Sequence, residues 1–334
     1  MRLANSFSII DTHSAGEPIR IIRDGMPVLR GSTMLEKMNY MKERFDWIRT
    51  CTMCEPRGHK AMVGAVFTEP VSIDADIGVF YIDLLNYAPM CGAGSIAVAK
   101  VLVEVGMVTV KEPVTTVVMD TPAGLVSAYV SVENGDIINV TVENVPSFLS
   151  DTDVELKVSG LGEIHVDIGY GGNYFVFVDV DNLKIDILTE NIPFLVEAGM
   201  EILKTANEKI QVQHPVHKEI TFLNDMMFCQ KPRGLNTPYT GMVVFGNAQF
   251  DRSPCGTGTC ARMARMYSKG ELKLNQSFLH RSVIGTLFKG TLIKEEKVGE
   301  YTAVVPRISG EAYITGFNNL IVDSGDGLKN GFWF

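Results

Sequence analysis

Cys91-Gly-Ala-Gly-Ser-Ile-Ala97 aligns without a gap to Cys255-Gly-Thr-Gly-Thr-Cys-Ala261, and the two runs stand 164 residues apart, 91 to 255, in a chain of 334. Each copy sets a cysteine, two glycines and a hydroxyl side chain where an extended segment passes into a helical pattern. A spacing of about half the chain predicts two similar halves, each with one Cys-led helix. The first is read from Gly92 to about Val105, with Lys100 and Glu104 as its only charges, and a helix apolar nearly all round is buried on all sides. Gly106 is placed to stop it. The second opens at Cys255 and stops near Gly270.

Glycines at a helix start let the backbone approach a ligand closely, and the free N–H groups with the helix dipole make an anion site that suits a carboxylate. The same terminus favours thiolate over thiol, so a cysteine there is activated as a base. Two such termini meeting across a cleft would grip one carboxylate and present a sulfur to each face of its α-carbon. Inversion without a cofactor needs that arrangement: one group removes the α-proton while the other donates from the opposite face. A single Cys-Gly-X-Gly reads more readily as packing, because cysteine is among the most buried residue types. Two gapless copies half a chain apart favour chemistry.

Outward from the repeat, the first half reads as strands and turns, with the helix after Cys91 its one clear helix. Leu125 to Glu133 and Asp136 to Glu143 are β-rich runs joined by Asn134-Gly135, a dipeptide suited to a tight hairpin turn. Tyr174-Phe-Val-Phe-Val-Asp179 is a strand. Asn191 is placed to cap a helix whose apolar residues Phe194, Leu195, Ala198, Ile202, Ala206 and Ile210 recur at helical spacing. Thr302 to Val305 and Ala312 to Thr315 are further strands.

A chain of this length exceeds the size at which one core stops growing, so two domains are expected. Hydrophobic residues at 46% and charged residues at 21% place it among soluble globular proteins. The net charge of −9 has no basic tract to offset it, which argues against nucleic acid and anionic membrane as partners and for a small molecule. Met1-Arg-Leu-Ala-Asn-Ser6 lacks the charged, apolar and cleavage-site regions of a signal peptide. No apolar stretch approaches the roughly 20 residues that span a bilayer. The expected compartment is the cytoplasm, where thiols stay reduced and cysteines are buried, metal-bound or catalytic rather than disulfide-linked.

The motifs then become specific. Ile10-Asp-Thr-His-Ser-Ala-Gly-Glu-Pro18, Glu55-Pro-Arg-Gly-His59, Met90-Cys-Gly-Ala-Gly94, Asp251-Arg-Ser-Pro-Cys-Gly-Thr-Gly258 and Tyr313-Ile-Thr-Gly-Phe317 together make essentially the whole chain resemble the proline racemase family. The resemblance implies an α/β (α+β) fold shared with diaminopimelate epimerases. Two pseudo-symmetric, β-barrel-like domains each surround a central helix, with the active site in the interdomain cleft. The expected halves are 1–122 with 316–334, and 123–315.

By the same resemblance Cys91 and Cys255 are the two acid/base catalysts. Backbone N–H groups of Gly92, Ala93, Gly94, Gly256 and Thr257 would hold the substrate carboxylate, and Asp251 would accept from the ring ammonium. Asp251 reads equally as a cap or brace of its loop. The implied activity is cofactor-independent racemisation or epimerisation of proline or a hydroxyproline, without pyridoxal phosphate, metal or nucleotide, by a homodimer. The family usually carries histidine two residues after the first cysteine, and this chain has Ala93. Val63 stands where proline-specific relatives often carry phenylalanine. Both smaller side chains predict a roomier pocket that accepts hydroxyprolines.

Other readings are weaker. A trans-3-hydroxyproline dehydratase resembles the racemases but typically has threonine at the second cysteine, and Cys255 is intact. Diaminopimelate epimerase shares the cysteine pair but not the Asp-Arg-Ser-Pro-Cys context. Six cysteines raise a thiol redox or metal-binding protein, and a silent binder of cyclic amino acids is a third class. Cys51-Thr-Met-Cys54 has half-site spacing without a second pair, so both are read as buried strand cysteines. Cys229 and Cys260 are read as packing residues. Arg57 and His59 are read as bracing a turn, and His13 lies in a family-like motif. His165, His214, His217 and His280 fall in no catalytic pattern. Gly169-Tyr-Gly-Gly-Asn173 only loosely resembles a phosphate loop.

Overall fold

The computed structural model describes residues 3–234, 237–246 and 248–334. In chain order the elements are β1 (Leu3–Ser14), β2 (Glu17–Asp24), α1 (Met34–Met53), β3 (Val63–Thr68), β4 (Ile77–Ile82), β5 (Tyr87–Ala88), α2 (Gly92–Glu104), β6 (Val114–Thr121), β7 (Gly124–Glu133) and β8 (Asp136–Glu143). There follow β9 (Ser147–Val158), β10 (Gly162–Tyr170), β11 (Tyr174–Asp179), α3 (Ile192–Lys209), β12 (Leu223–Gln230), β13 (Tyr239–Phe245) and β14 (Gln249–Phe250). The chain then runs through α4 (Gly256–Ser268), β15 (Ser277–Arg281), β16 (Leu287–Val298), β17 (Tyr301–Gly310) and β18 (Ala312–Asp323).

The chain divides into two compact units, Met1–Val142 with Gly310–Phe334, and Glu143–Ser309. The strand expected near the start of the second half, β7, pairs along its length with β6, from Val114↔Ser131 to Thr121↔Gly124, and so lies in the first unit. Asn134 and Gly135 take φ of 53° and 85°, the doubly positive pair of a type I′ turn.

In the first unit the strands run β18-β1-β2-β3-β4-β6-β7, antiparallel except for β2–β3 and β4–β6. In the second they run β9-β10-β11-β12-β13-β15-β16-β17, and β17 pairs back to β9 to close the barrel. Here the parallel pairs are β11–β12 and β13–β15. The order β1, β2, α1, β3, β4, β5, α2, β6, β7 therefore recurs as β10, β11, α3, β12, β13, β14, α4, β15, β16. A helix connects each parallel pair, as parallel neighbours require.

One helix of each unit is enclosed. Helix α2 packs against β1, β2, β3, β6, β7 and β18, and residues 92–99 and 101–103 are all buried. Helix α4 packs against β9, β10, β11 and β16, with residues 256–266 buried. Gly106 and Gly270, at φ 72° and 73°, end the two helices in the left-handed conformation that glycine adopts without penalty. The other helix of each unit lies on the opposite face of the strands. Phe175, Phe177, Met227, Cys229 and Val243 pack with Cys255 and Ala261, whereas Val176, Val178, Met226, Phe228, Met242 and Val244 pack with Leu195, Ala198, Ile202 and Ala206 of α3. Side chains alternate between faces along a strand, so the runs Phe175–Val178, Met226–Cys229 and Met242–Val244 are continuously apolar because both faces are covered.

Three local expectations are corrected. Helix α1 occupies a region read as strands and turns. Its apolar period is masked because Phe45 leaves helical geometry (φ −137°, ψ 24°) and because Lys37 and Arg49 are buried. Lys37 donates to the Glu69 carbonyl at 2.6 Å, and Arg49 pairs with Asp46. Cys51 and Cys54 are consequently at the end of a helix, not on a strand. Asn191 sits at the N-cap position of α3 in αR geometry without a capping bond, and its side-chain amide donates to the Asp186 carbonyl instead.

Candidate active site

Each enclosed helix begins at a cysteine. Cys91 is the N-cap of α2, and its Sγ accepts the Gly94 N–H at 3.3 Å. Cys255 is the N-cap of α4, and its Sγ accepts the Gly258 N–H at 3.4 Å. A sulfur in this position takes the place of a serine or aspartate cap, and the N–H with the helix terminus behind it stabilises negative charge on sulfur. The N–H groups of Gly94 and its counterpart are thus directed at the sulfurs. Gly92 with Ala93, and Gly256 with Thr257, occupy the first two positions of their helices, where the intrahelical ladder supplies no acceptor for an N–H.

The hydroxyl of each repeat anchors the helix start. Ser95 Oγ donates to the Cys91 carbonyl at 2.9 Å and lies 2.8 Å from the buried Tyr81 hydroxyl. Its counterpart Thr259 donates to the Pro254 carbonyl at 3.3 Å and lies 2.7 Å from His280 Nδ1. Thr257 Oγ1 is 3.8 Å from Cys255 Sγ.

The two cysteines differ in backbone. Cys91 is extended at φ −143°, ψ 114°, whereas Cys255 has φ 65°, ψ 119°. A non-glycine residue at positive φ of this kind costs about 1–3 kcal/mol and persists where its surroundings over-determine it. Asp251 takes part in that support: its Oδ1 accepts the Ser253 N–H at 2.7 Å. The bracing reading of Asp251 is therefore realised for one of its oxygens. Gly169-Tyr-Gly-Gly-Asn173 has a structural reason as well, since a Cβ on Gly171 would lie 2.3 Å from the Thr257 carbonyl. The loop seats the first turn of α4.

The remaining cysteines are thiols held away from ionisation. Burial pushes Cys54 up to about 11 and also raises Cys51, Cys229 and Cys260. Arg57 braces its turn by donating to the Ile321 and Lys329 carbonyls and pairing with Asp326, and His59 Nδ1 lies 3.0 Å from the Lys60 carbonyl. Among the described residues no three His, Cys, Asp or Glu side chains cluster at metal-binding spacing, and no helix is long and apolar enough to cross a membrane.

The family model described as proline racemase matches residues 9–333. The chain belongs to the proline racemase family. Within that family, the proline racemase of Acetoanaerobium sticklandii is 43% identical over 333 residues, covering 99% of each chain. The 4-hydroxyproline 2-epimerase of Streptosporangium roseum is 42% identical over 332 residues, again covering 99% of each. A hydroxyproline epimerase from Agrobacterium vitis, solved with trans-4-hydroxy-L-proline bound, is 31% identical with a TM-score of 0.95, covering 100% of this chain and 96% of that one.

In this proline racemase family member, Ser253, Tyr81 and His280 support the cysteine loops and were not singled out from sequence. Ser253, two residues before Cys255, has the spacing of a side-chain-to-backbone turn and was open to that reading. Tyr81 and His280 carry no such local signal, because they reach the helices from separate strands.

Proposed function

We propose that this chain is a cofactor-independent, two-base racemase or epimerase that inverts the α-carbon of proline or a hydroxyproline. The observation that carries the proposal is the duplicated N-cap, a cysteine sulfur accepting the N–H three residues on at 3.3 Å in one copy and 3.4 Å in the other. Cys91 and Cys255 act on opposite faces of one α-carbon. One as thiolate removes the α-proton, the other as thiol delivers a proton, and the roles exchange in the reverse direction.

The substrate carboxylate binds the N–H groups of Gly92, Ala93, Gly256 and Thr257. Gly94 contributes through the sulfur that its N–H faces. Neutralising the carboxylate there lowers the cost of the negative charge that builds on the α-carbon. Asp251 accepts from the ring ammonium. The names of the relatives, and the hydroxyproline held by the Agrobacterium vitis enzyme, support this substrate class.

A mechanism built on two free thiols suits a reducing cytoplasm, and the family resemblance implies a homodimer. The test is incubation with L- and D-proline and the hydroxyprolines in deuterated water. Deuterium at the α-carbon with formation of the opposite configuration is expected, and its absence across the panel would sink the reading.

A further inference from the structure

Behind Cys255 runs a buried chain of hydrogen bonds whose direction is set by a group that can only donate. Arg262 of α4 donates through Nη1 to the Thr240 carbonyl at 2.7 Å, and the same nitrogen lies 2.9 Å from His280 Nε2. A guanidinium has no acceptor, so Nε2 accepts and the proton of the neutral ring resides on Nδ1. Burial, with Arg262 alongside, pushes the His280 pKa well down and keeps the ring neutral. Nδ1 then donates to Thr259 Oγ1 at 2.7 Å, which leaves the Thr259 hydroxyl proton for the Pro254 carbonyl at 3.3 Å. That carbonyl belongs to the peptide entering Cys255, and the Thr259 N–H holds the Cys255 carbonyl at 2.9 Å. Arg262, Thr259 and His280 are all buried.

We propose that Thr259 and His280 are positioning residues for Cys255, locking the Pro254–Cys255 peptide in the positive-φ conformation that places Sγ under the Gly258 N–H. The counterpart Ser95 bonds instead to the carbonyl of Cys91 itself, whose extended backbone needs no such lock. The inference rests on the acid/base reading of Cys255.

The test uses a readout specific to each cysteine: carboxamidomethylation by iodoacetamide at fixed neutral pH, followed by mass spectrometry, with Cys91 as internal reference. In Thr259→Val the hydroxyl is lost at nearly constant volume. Cys255 should then react about tenfold more slowly while Cys91 is unchanged, as expected for losing support of one hydrogen bond to a charged group. For proline racemisation kcat should fall by a similar factor at constant KM. Thr259→Ser should restore both, and Thr259→Ala provides a second deletion should the valine variant not fold. A merely structural role predicts the opposite sign, because loosening the loop exposes Cys255 and speeds its alkylation. Unchanged or faster alkylation in both deletions overturns the proposal. Slower alkylation rescued by serine, with no α-proton exchange in any form of the protein, would keep the positioning role and remove the racemase reading.

Discussion

Ser253 Oγ accepts the backbone N–H of Cys255 at 3.1 Å, so a hydroxyl two residues upstream holds the peptide of a cysteine whose φ is 65°. Asp251 in turn holds the Ser253 N–H. Two successive side-chain-to-backbone bonds thus support the strained cysteine from its N-terminal side.

Asp251 consequently has two separable duties, and two substitutions divide them. Asp251→Asn keeps an oxygen for the Ser253 N–H but removes the charge proposed to meet the ring ammonium. Its KM for L-proline should rise about tenfold or more, with kcat within about threefold, the loss of one charge-assisted hydrogen bond. Asp251→Ala also removes the brace and should lower kcat and cost about 1 kcal/mol of stability. Steady-state kinetics and urea unfolding check both. Identical kinetics for the two variants would leave Asp251 a brace alone.

The cysteines should sort into two groups. Cys91→Ser and Cys255→Ser are expected to abolish racemisation, since a serine hydroxyl is far too weak a base at neutral pH and inversion requires both faces. Serine at Cys51, Cys54, Cys229 or Cys260 should leave turnover intact. All four are buried, so serine should cost about 1–3 kcal/mol of stability at each for burying a hydroxyl. Racemisation assays with urea melts of all six variants decide this.

Acid should weaken the attachment of α4 to its barrel. Burial by itself would raise the Asp167 carboxyl, but Lys269, the Asp153 N–H and Arg265 outweigh it and hold the group at about 2. Arg265 also bonds Asp179 at 2.9 Å, tying α4 to β10 and β11. A carboxyl whose folded pKa is depressed stabilises the fold above its unfolded pKa, and that contribution, about 2 kcal/mol, is lost as pH falls from about 4 to about 2. The buried His214, lowered to about 4, loses its contribution in a separate window, as pH falls from about 6.5. Urea midpoints of the wild type should therefore drop between pH 4 and pH 2. Asp167→Asn should start lower and show a smaller drop, and an equal drop in both would exclude Asp167 as the cause.

Specificity should respond to the half-buried Val63, at the start of β3 opposite Ile19. With small side chains at both Val63 and Ala93, the wild type is expected to accept hydroxyprolines at least as well as proline. A pocket that merely tolerates a hydroxyl discriminates by about a hundredfold or less, so the preference should be shallow. Val63→Phe should shift the ratio of kcat/KM values towards proline. Rejection of every hydroxyproline by a wild type that turns over proline would refute the pocket argument.

The repeat could be read further than its cysteines. Shifting Ile192–Lys209 back by the same 164 residues lands on 28–45, which overlaps Met34–Met53. Thr33-Met-Leu-Glu36 also carries a capping signature: Thr33 Oγ1 accepts the Glu36 N–H at 3.1 Å, and the Glu36 carboxylate accepts the Ser32 N–H at 2.7 Å. Periodicity missed α1 because two of its inward side chains are a lysine and an arginine, which reach the Glu69 and Leu84 carbonyls more than thirty residues along the chain.

The Cys-led helices, their glycine stops, the strand Tyr174–Asp179 and the Asn134-Gly135 turn were legible because each depends on residues adjacent in sequence, through local backbone preference and apolar periodicity. The closure of β17 onto β9, the outward placement of α1 and α3, and the supports that Tyr81 and His280 lend to the cysteine loops depend on strands far apart in the chain. Such partners are chosen by packing of the folded chain, which burial of both sheet faces specifies and no local pattern records. The backbone of Cys255 makes the same point: a gapless seven-residue repeat, identical at four positions, announced the equivalence of the two cysteines, and only folding gave one of them a strained conformation and the hydrogen bonds that hold it.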